Sequence, residues 1–241
     1  MTGYVDLHCH YLPAVDDGVP DAQQGYALCR ALREVGYTTV VATPHIRTAM
    51  FDNRAPALRE VYERFAADAQ DDAAMPTLGL AAEHFCDDVF WDLFERRETL
   101  PYPGGRAMLI ELPPDRLPLG LADRFFRMQV RGVRPVIAHP ERYNPLFRTT
   151  EPIGAFLDAG VLAQLDVMSL VGRYGRAPQR AAERMLEQGA YHLASSDCHR
   201  VEHVDLVVQS IERLRALIGD EGAQRLLADN PRALLEGRLD A

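Results

Sequence analysis

The sequence predicts an α/β protein built from seven β/α units, a pattern that suits a closed parallel barrel better than an open sheet. Three observations predict it. Short apolar runs of β-forming residues alternate with amphipathic helical stripes along the chain. No Gly/Ser/Pro-rich or highly charged stretch interrupts them as a linker, and there is no internal repeat. Residues able to bind metal recur at the C-terminal ends of the strands, the rim on which a parallel barrel gathers its chemistry. The 241 residues are expected to form one domain, 1–241.

The first strand is Val5 to Cys9. Asp21 is a helix N-cap, followed by the stripe Tyr26, Cys29, Leu32 and Val35, with Gly36 as the stop. Thr38 to Thr43 is the second strand, and it lacks the polar alternation of a strand with one wet face. Leu58, Val61, Tyr62 and Phe65 stand at i, i+3, i+4 and i+7 and predict a helix. Thr77 to Ala82 is the third strand, and a loop around Leu100–Gly105 leads to the fourth, Ala107 to Ile110. Leu121, Phe125 and Met128 mark a helix; Pro135 to Ala138 and Val161 to Leu165 are the fifth and sixth strands. Ala181 and Met185 outline a helix ending at Gly189, and Ala190 to Ser195 is the seventh strand. Val207, Ile211, Leu214 and Ile218 give a helix, and a last short one precedes Asn230–Pro231.

Composition removes several classes of function. A net charge of −9 argues against binding a nucleic-acid backbone as the main task. No stretch approaches the roughly 18–20 apolar residues that span a bilayer, so membrane insertion is not expected. The first residues show no basic segment followed by an apolar run, so no leader is expected and the cytoplasm is the expected location. All 26 basic residues are arginine. Without lysine there is no Walker-type phosphate loop, no Schiff base and no carbamylated-lysine metal bridge. Cys9, Cys29, Cys86 and Cys198 contain no C-x-x-C pair and read as reduced thiols. The sixth positions after them hold Val15, Val35, Asp92 and Val204, so the thiolate-plus-arginine loop of cysteine phosphatases is missing.

The strand tips carry the chemistry. The first strand ends in His8-Cys9-His10, the second runs into Thr43-Pro44-His45, the third meets Glu83, the fourth Glu111, the fifth His139, and the seventh Asp197-Cys198-His199. Side chains at i and i+2 of a strand share a face. His8 and His10 can therefore enter one site with Cys9 turned away, and Asp197 and His199 repeat the device around Cys198. The loop after the first strand adds Asp16 and Asp17 before Gly18. A lone H-x-H, D-x-H or strand-end Glu is ordinarily a packed or solvated group. Five of the eight histidines on strand tips, joined by carboxylates, are not explained that way. The other three, His84, His192 and His203, read as surface or core residues. Imidazole and carboxylate without thiolate suit Mn²⁺, Fe²⁺ or Zn²⁺. The number of donors exceeds what one ion needs, which implies two or three, with Glu83 a candidate bridge. Arg47, Arg142 and Arg200 lie on the ligand-bearing loops, where guanidinium matches phosphate geometry.

These residues together, Asp6-Leu7-His8-Cys9-His10, Asp16-Asp17-Gly18, Ala42-Thr43-Pro44-His45, Ala82-Glu83, Leu109-Ile110-Glu111, Ile137-Ala138-His139-Pro140-Glu141-Arg142-Tyr143 and Ala194 to His199, resemble the PHP (polymerase and histidinol phosphatase) superfamily. Within it, D-D-G, A-H-P-E-R-Y and the closing Asn230-Pro231-Arg232 resemble the CpsB-type protein-tyrosine phosphatases of bacterial capsule and exopolysaccharide systems. The resemblance implies a distorted (β/α)₇ TIM-like barrel of PHP type and a three-metal, usually Mn²⁺-supported site at its C-terminal rim. It implies as ligands His8, His10, Asp17, His45, Glu83, Glu111, His139, Asp197 and His199, with Asp17 rather than Asp16 as the ligand of D-D-G. It implies Arg47 and Arg142 as catalytic phosphate-contacting residues. The family often has a further arginine beyond the D-x-H pair. Here that stretch reads Arg200-Val201-Glu202-His203-Val204, so Arg200 or His203 is the expected substitute.

The expected function is a metal-dependent phosphomonoesterase in which a metal-bridging hydroxide attacks phosphorus in line. The resemblance makes the substrate a phosphotyrosine protein, a bacterial tyrosine autokinase of capsule or exopolysaccharide synthesis. The rival readings are a PHP phosphatase of a small molecule such as histidinol phosphate, a metal-dependent amidohydrolase, and a non-catalytic kinase-binding regulator.

Overall fold

The computed structural model describes residues 3–239. Strand β1 (Tyr4–Cys9) is followed by helix α1 (Ala22–Val35), β2 (Tyr37–Ala42), β3 (His45–Ile46), α2 (Ala55–Ala69), β4 (Thr77–Leu80), β5 (Glu83–Phe85) and α3 (Asp88–Arg96). Then come β6 (Ala107–Glu111), α4 (Leu121–Val130), β7 (Arg134–Ala138), α5 (Glu151–Asp158), β8 (Leu162–Asp166), α6 (Arg176–Glu187), β9 (Leu193–Ser195), α7 (Val204–Gln224) and α8 (Asn230–Leu235). All strand pairings are parallel, in the orders β1-β2-β4 and β3-β5-β6-β7-β8-β9.

The two sheets are one circuit. Pro44 has no N–H to give a ladder, and it separates β2 from β3. The backbone nevertheless bridges the gap: Ala81 N–H donates to Ala42 O at 2.8 Å, and Glu83 N–H donates to Pro44 O at 3.1 Å. At the other seam, Asp197 N–H donates to His8 O and His10 N–H to Cys198 O, both at 2.9 Å. The interrupted strands β2/β3 and β4/β5 each count as one stave, which leaves the seven staves expected from the sequence.

The side chains sort into two apolar layers. Val5, Leu7, Val41, Ala81, Leu109, Val136 and Leu162 fill the lower interior with Tyr102 and Leu234. Val40, Ala42, Leu80, Ala82, Met108, Ile110, Ile137, Ala163 and Leu165 point outward and pack under the helices. β1 breaks the simple alternation. Asp6 pairs with Val40 but Cys9 with Ala42, so β1 carries one extra residue there. Such a bulge re-aims side chains. It puts Leu7 in the apolar interior and the next residue, His8, above it in the polar rim.

Helix ends follow their predicted chemistry at α1. The Asp21 carboxylate accepts from Gln24 N–H at 2.8 Å, and Gly36 turns the chain at φ 116°. Two helices went unnoticed in the sequence, α3 and α5; α3 begins where the Asp87 carboxylate accepts from Phe90 N–H at 2.8 Å. The last helix is longer than expected. A helical stretch does precede Asn230–Pro231, from the Gly219 kink through a π-helical turn at Arg225–Asp229, but it runs on without a break into α8, with Pro231 in that helix's first turn. Among the described residues no helix is long and apolar enough to cross a membrane.

Candidate metal centre

All nine residues singled out as ligands converge at the C-terminal rim. Four overlapping groups form: His10, Asp17, His45 and His199; His8, His10 and Asp197; His8, Glu83 and His139; and His45, Glu83 and Glu111. Glu83 stands at their centre. Its Oε1 lies 2.9 Å from His139 Nε2, and its Oε2 lies 3.2 Å from His8 Nε2 and 3.1 Å from His45 Nδ1. Asp197 Oδ1 lies 3.1 Å from His8 Nε2 and 3.3 Å from His10 Nε2. Asp17 Oδ1 is 3.5 Å from both His45 Nε2 and His199 Nε2.

Neighbouring groups fix the imidazoles. Gln164 Oε1 is 3.1 Å from His8 Nδ1, and Asp16 Oδ2 is 2.7 Å from His10 Nδ1. Asp16 also accepts from the N–H groups of Gly18 and His45. The two aspartates of D-D-G therefore divide: Asp16 orients His10, and Asp17 faces the other imidazoles. Gly18 is obligatory, because a Cβ there would lie 2.3 Å from His10 O. His139 and Asp197 sit at φ 30° and 49°, the left-handed region that costs energy for residues other than glycine. Strain of this kind persists where surrounding contacts dictate a position.

The donor set fits cations. Five buried atoms, His10 Nε2, His45 Nδ1, His139 Nδ1, Glu111 Oε2 and Asp197 Oδ1, have no hydrogen-bond partner. Donors about 2.1 Å from one tetrahedral ion stand about 3.4 Å from each other, close to the separations found here. The protonation pattern tells the same story. Burial pushes Glu83 toward the neutral acid, but the charges of His8 and His45 outweigh it and hold its carboxyl well below the usual range. Burial and the charge of Glu83 push Glu111 up to about 8. Burial, with Arg142 nearby, drives His139 down to about 4. Divalent ions would balance this concentration of carboxylate charge.

Two guanidiniums flank the cluster. Arg47 Nη1 lies 3.6 Å from Glu111 Oε2, with its Cζ 4.1 Å above the Phe85 ring. Arg142 Nη1 lies 2.6 Å from Asp197 Oδ2, with its Cζ 4.3 Å above the Tyr174 ring. Each is braced on an aromatic face. Arg200 is exposed at the outer edge, and His203 Nε2 accepts from Arg173 at 2.8 Å. Neither Arg200 nor His203 is in a metal-type group. Cys9 and Cys198 point into the outer layer, where burial raises both thiols. His84 and His192 bond to backbone of neighbouring segments. Sequence reasoning missed Asp166, Gln164, Tyr174 and Arg173. Of these only Asp166 had a signal: it is the carboxylate at the tip of the sixth strand.

The chain is 29% identical over 237 residues to the tyrosine-protein phosphatase YwqE of Bacillus subtilis, covering 97% of this chain and 92% of that protein. It matches a crystal structure from the study of YwqE from Bacillus subtilis and CpsB from Streptococcus pneumoniae, described as metal-dependent tyrosine phosphatases. The TM-score is 0.90 at 27% identity, over 98% of this chain and 97% of the other. A phosphotriesterase homology protein from Escherichia coli shares the fold alone, with a TM-score of 0.62 at 14% identity over 95% of this chain and 97% of the other. The family model for capsular polysaccharide synthesis proteins of the CpsB/CapC type matches residues 4–236, and the chain belongs to that family.

Proposed function

We propose that this chain is a metal-dependent phosphomonoesterase that removes phosphate from tyrosine in proteins. The observation that carries the reading is the nine-residue imidazole–carboxylate cluster with Arg47 and Arg142 beside it. Similarity to YwqE and CpsB, phosphatases of the same size and fold, supports it.

His8, His10, Asp17, His45, Glu83, Glu111, His139, Asp197 and His199 would hold two or three ions, with Mn²⁺ the best match and Fe²⁺ or Zn²⁺ also suited to these donors. Glu83 would serve as the bridge, since its two oxygens face different imidazoles and it belongs to two of the groups. Such ions supply Lewis acidity toward a phosphoryl oxygen and acidify water near neutral pH. The chain's own residues supply the rest. Arg47 and Arg142 donate to the equatorial phosphoryl oxygens, where charge spreads in the transition state. Arg200 and Arg173, the latter held by the neutral ring of His203, form a cationic outer edge that can meet the acidic parts of a substrate. A phenolate, with an ordinary pKa of about 10, leaves more readily than an alkoxide. A tyrosine autokinase of capsule or exopolysaccharide synthesis is the partner this reading implies.

Turnover of a phosphotyrosine peptide and of histidinol phosphate, each with Mn²⁺, tests it. The peptide is expected to be hydrolysed faster. Preference for histidinol phosphate would move the chain to the small-molecule branch. Hydrolysis of neither, in protein with its full metal content, would make it a binding protein.

A further inference from the structure

β8 is the stave whose tip contributes nothing to the metal-type groups, yet it ends in a buried carboxylate, Asp166. Asp166 Oδ1 accepts from Met168 N–H at 2.9 Å. Its Oδ2 has no hydrogen-bond partner and lies 3.6 Å from Arg142 Nη1. Tyr174, just beyond the turn that follows β8, lays its ring under the same guanidinium. Glu141, the neighbour of Arg142, accepts from Asp166 N–H, the Ser169 hydroxyl and the Tyr191 hydroxyl, which locks the His139–Arg142 loop to the tip of β8.

We propose that Asp166 and Tyr174 are positioning residues that hold the Arg142 guanidinium at the phosphate site. The inference rests on the phosphatase reading above. Arg142 faces two carboxylates, and they are not equivalent. Asp197 turns Oδ1 toward His8 and His10 and Oδ2 toward Arg142. Once Asp197 shares its charge with divalent ions, its hold on a guanidinium weakens, and the ions themselves repel Arg142. A second, buried anion set apart from the cluster is then needed to keep the arginine in place. Asp166 is placed to be that anion. Burial and the charge of Asp197 push its carboxyl well above the usual range, and Arg142 at 3.6 Å pulls it back toward the carboxylate. Ions that take up the Asp197 charge would remove the second of the two opposing causes. A brace for the turn after β8 would need only Oδ1 on Met168 N–H; the rest of the carboxylate faces Arg142 and Tyr174, the two other members of the arrangement. The aromatic ring fixes the plane of the guanidinium, so the pair sets both its position and its tilt.

The test is a double-mutant cycle on hydrolysis of p-nitrophenyl phosphate with Mn²⁺. Asp166→Asn is expected to lower kcat about tenfold, the scale of one lost charge-assisted contact. In an Arg142→Ala background the same change is expected to cost less than about twofold, because the group it positions is gone. Tyr174→Ala follows the same pattern and covers the case in which Asp166→Asn fails to fold. Equal losses in both backgrounds, or no loss in the single variants at unchanged metal content, overturn the proposal. A second readout needs no turnover: the side-chain ¹⁵N signals of Arg142 in Zn²⁺-loaded protein, assigned by their loss in Arg142→Lys. They are expected to show hindered rotation in the parent and averaging in Asp166→Asn. Identical spectra overturn the clamp. A change in the spectra of a protein that hydrolyses no phosphate ester would keep the clamp and remove the phosphatase reading.

Discussion

Glu83 and His84 are consecutive on β5 and point to opposite sides of the barrel wall. Glu83 looks inward and meets His8, His45 and His139; His84 looks outward and lies against Phe90 of α3. The two environments are best compared through two histidines. His84 and His139 are both buried, and burial drives both down to about 4. His84 spends both ring nitrogens on backbone: Nδ1 donates to Leu109 O and Nε2 accepts from Leu100 N–H. His139 faces Glu83 through Nε2, leaves Nδ1 without a hydrogen bond and sits on left-handed backbone. Burial and lost basicity therefore do not separate a structural histidine from a candidate ligand. Unspent donor atoms and a backbone held against its preference do.

The largest expected effect breaks the inner cluster. EDTA should abolish aryl-phosphate hydrolysis, and the untreated protein should carry two or three ions per chain by elemental analysis. Glu83→Gln, at the meeting point of the groups, should lower turnover more than about 100-fold, beyond the loss typical of residues that only orient a ligand. His84→Gln, one residue away on the outer face, should stay within about threefold of the parent. An active sample with one ion or none would end the multinuclear reading. Equal losses in the two variants would erase the distinction between the faces.

The next effect in size concerns the edge of the same cluster. Arg142→Ala should lower kcat by on the order of 10²-fold, the scale of one lost preorganised oxyanion donor. Arg142→Lys should recover little, since a point charge does not reproduce the planar fork. Metal content should not change. The rival role for Arg142 is a loop brace paired with Glu141 or another carboxylate. Glu141 is not that partner, since it bonds to Asp166 N–H, Ser169 and Tyr191, but Arg142 does face two carboxylates, Asp197 and Asp166, so kinetics must separate the roles. Normal turnover with a lowered Tm would still make Arg142 a brace.

Much of the inner face was legible because strand periodicity and rim chemistry reinforce each other. His8 with His10, and Asp197 with His199, need only the two-residue repeat to share a site. Asp166 carried only the weak signal of a carboxylate at a strand tip, and its partner, Arg142, comes from another stave, so nothing local in the sequence pairs the two. The bulge that lets Leu7 and His8 both face inward left no mark either, since nothing in Asp6–Cys9 announces an extra residue. The helices were readable where an apolar stripe ran for three turns, as in α1. They were missed where the helix was short, as in α3 and α5. Gly219 lies within α7 at φ 74°, a kink that apolar periodicity alone does not report.

A smaller effect should follow on the outer face. Cys9→Ser and Cys198→Ser are expected to keep kcat within about threefold, because both thiols lie in the outer layer, away from the ligand atoms. Both should lower Tm modestly, as a hydroxyl replaces a buried thiol. Loss of turnover with fold and metal content intact would place a thiol in the chemistry.

The smallest effect is confined to stability, and it isolates the outer histidine. A ring whose basicity falls on folding binds fewer protons in the native state than in the unfolded chain. Its stabilising contribution is full above the unfolded value of about 6.5 and is lost as pH falls through the native value of about 4. For His84 the span corresponds to on the order of 3 kcal/mol across that window. His84→Gln removes the titration. At pH 7.5 the variant should be the less stable protein, because an amide cannot satisfy both Leu109 O and Leu100 N–H with the same geometry. Toward pH 4.5 the gap should shrink or invert, because only the parent must protonate a buried ring. The carboxylates and imidazoles of the inner cluster titrate in both proteins, so urea-unfolding curves of metal-free samples at matched pH cancel them and leave His84. Curves that stay parallel from pH 7.5 to 4.5 would mean that His84 accepts a proton in place, and that the outer face is less closed to charge than its backbone contacts imply.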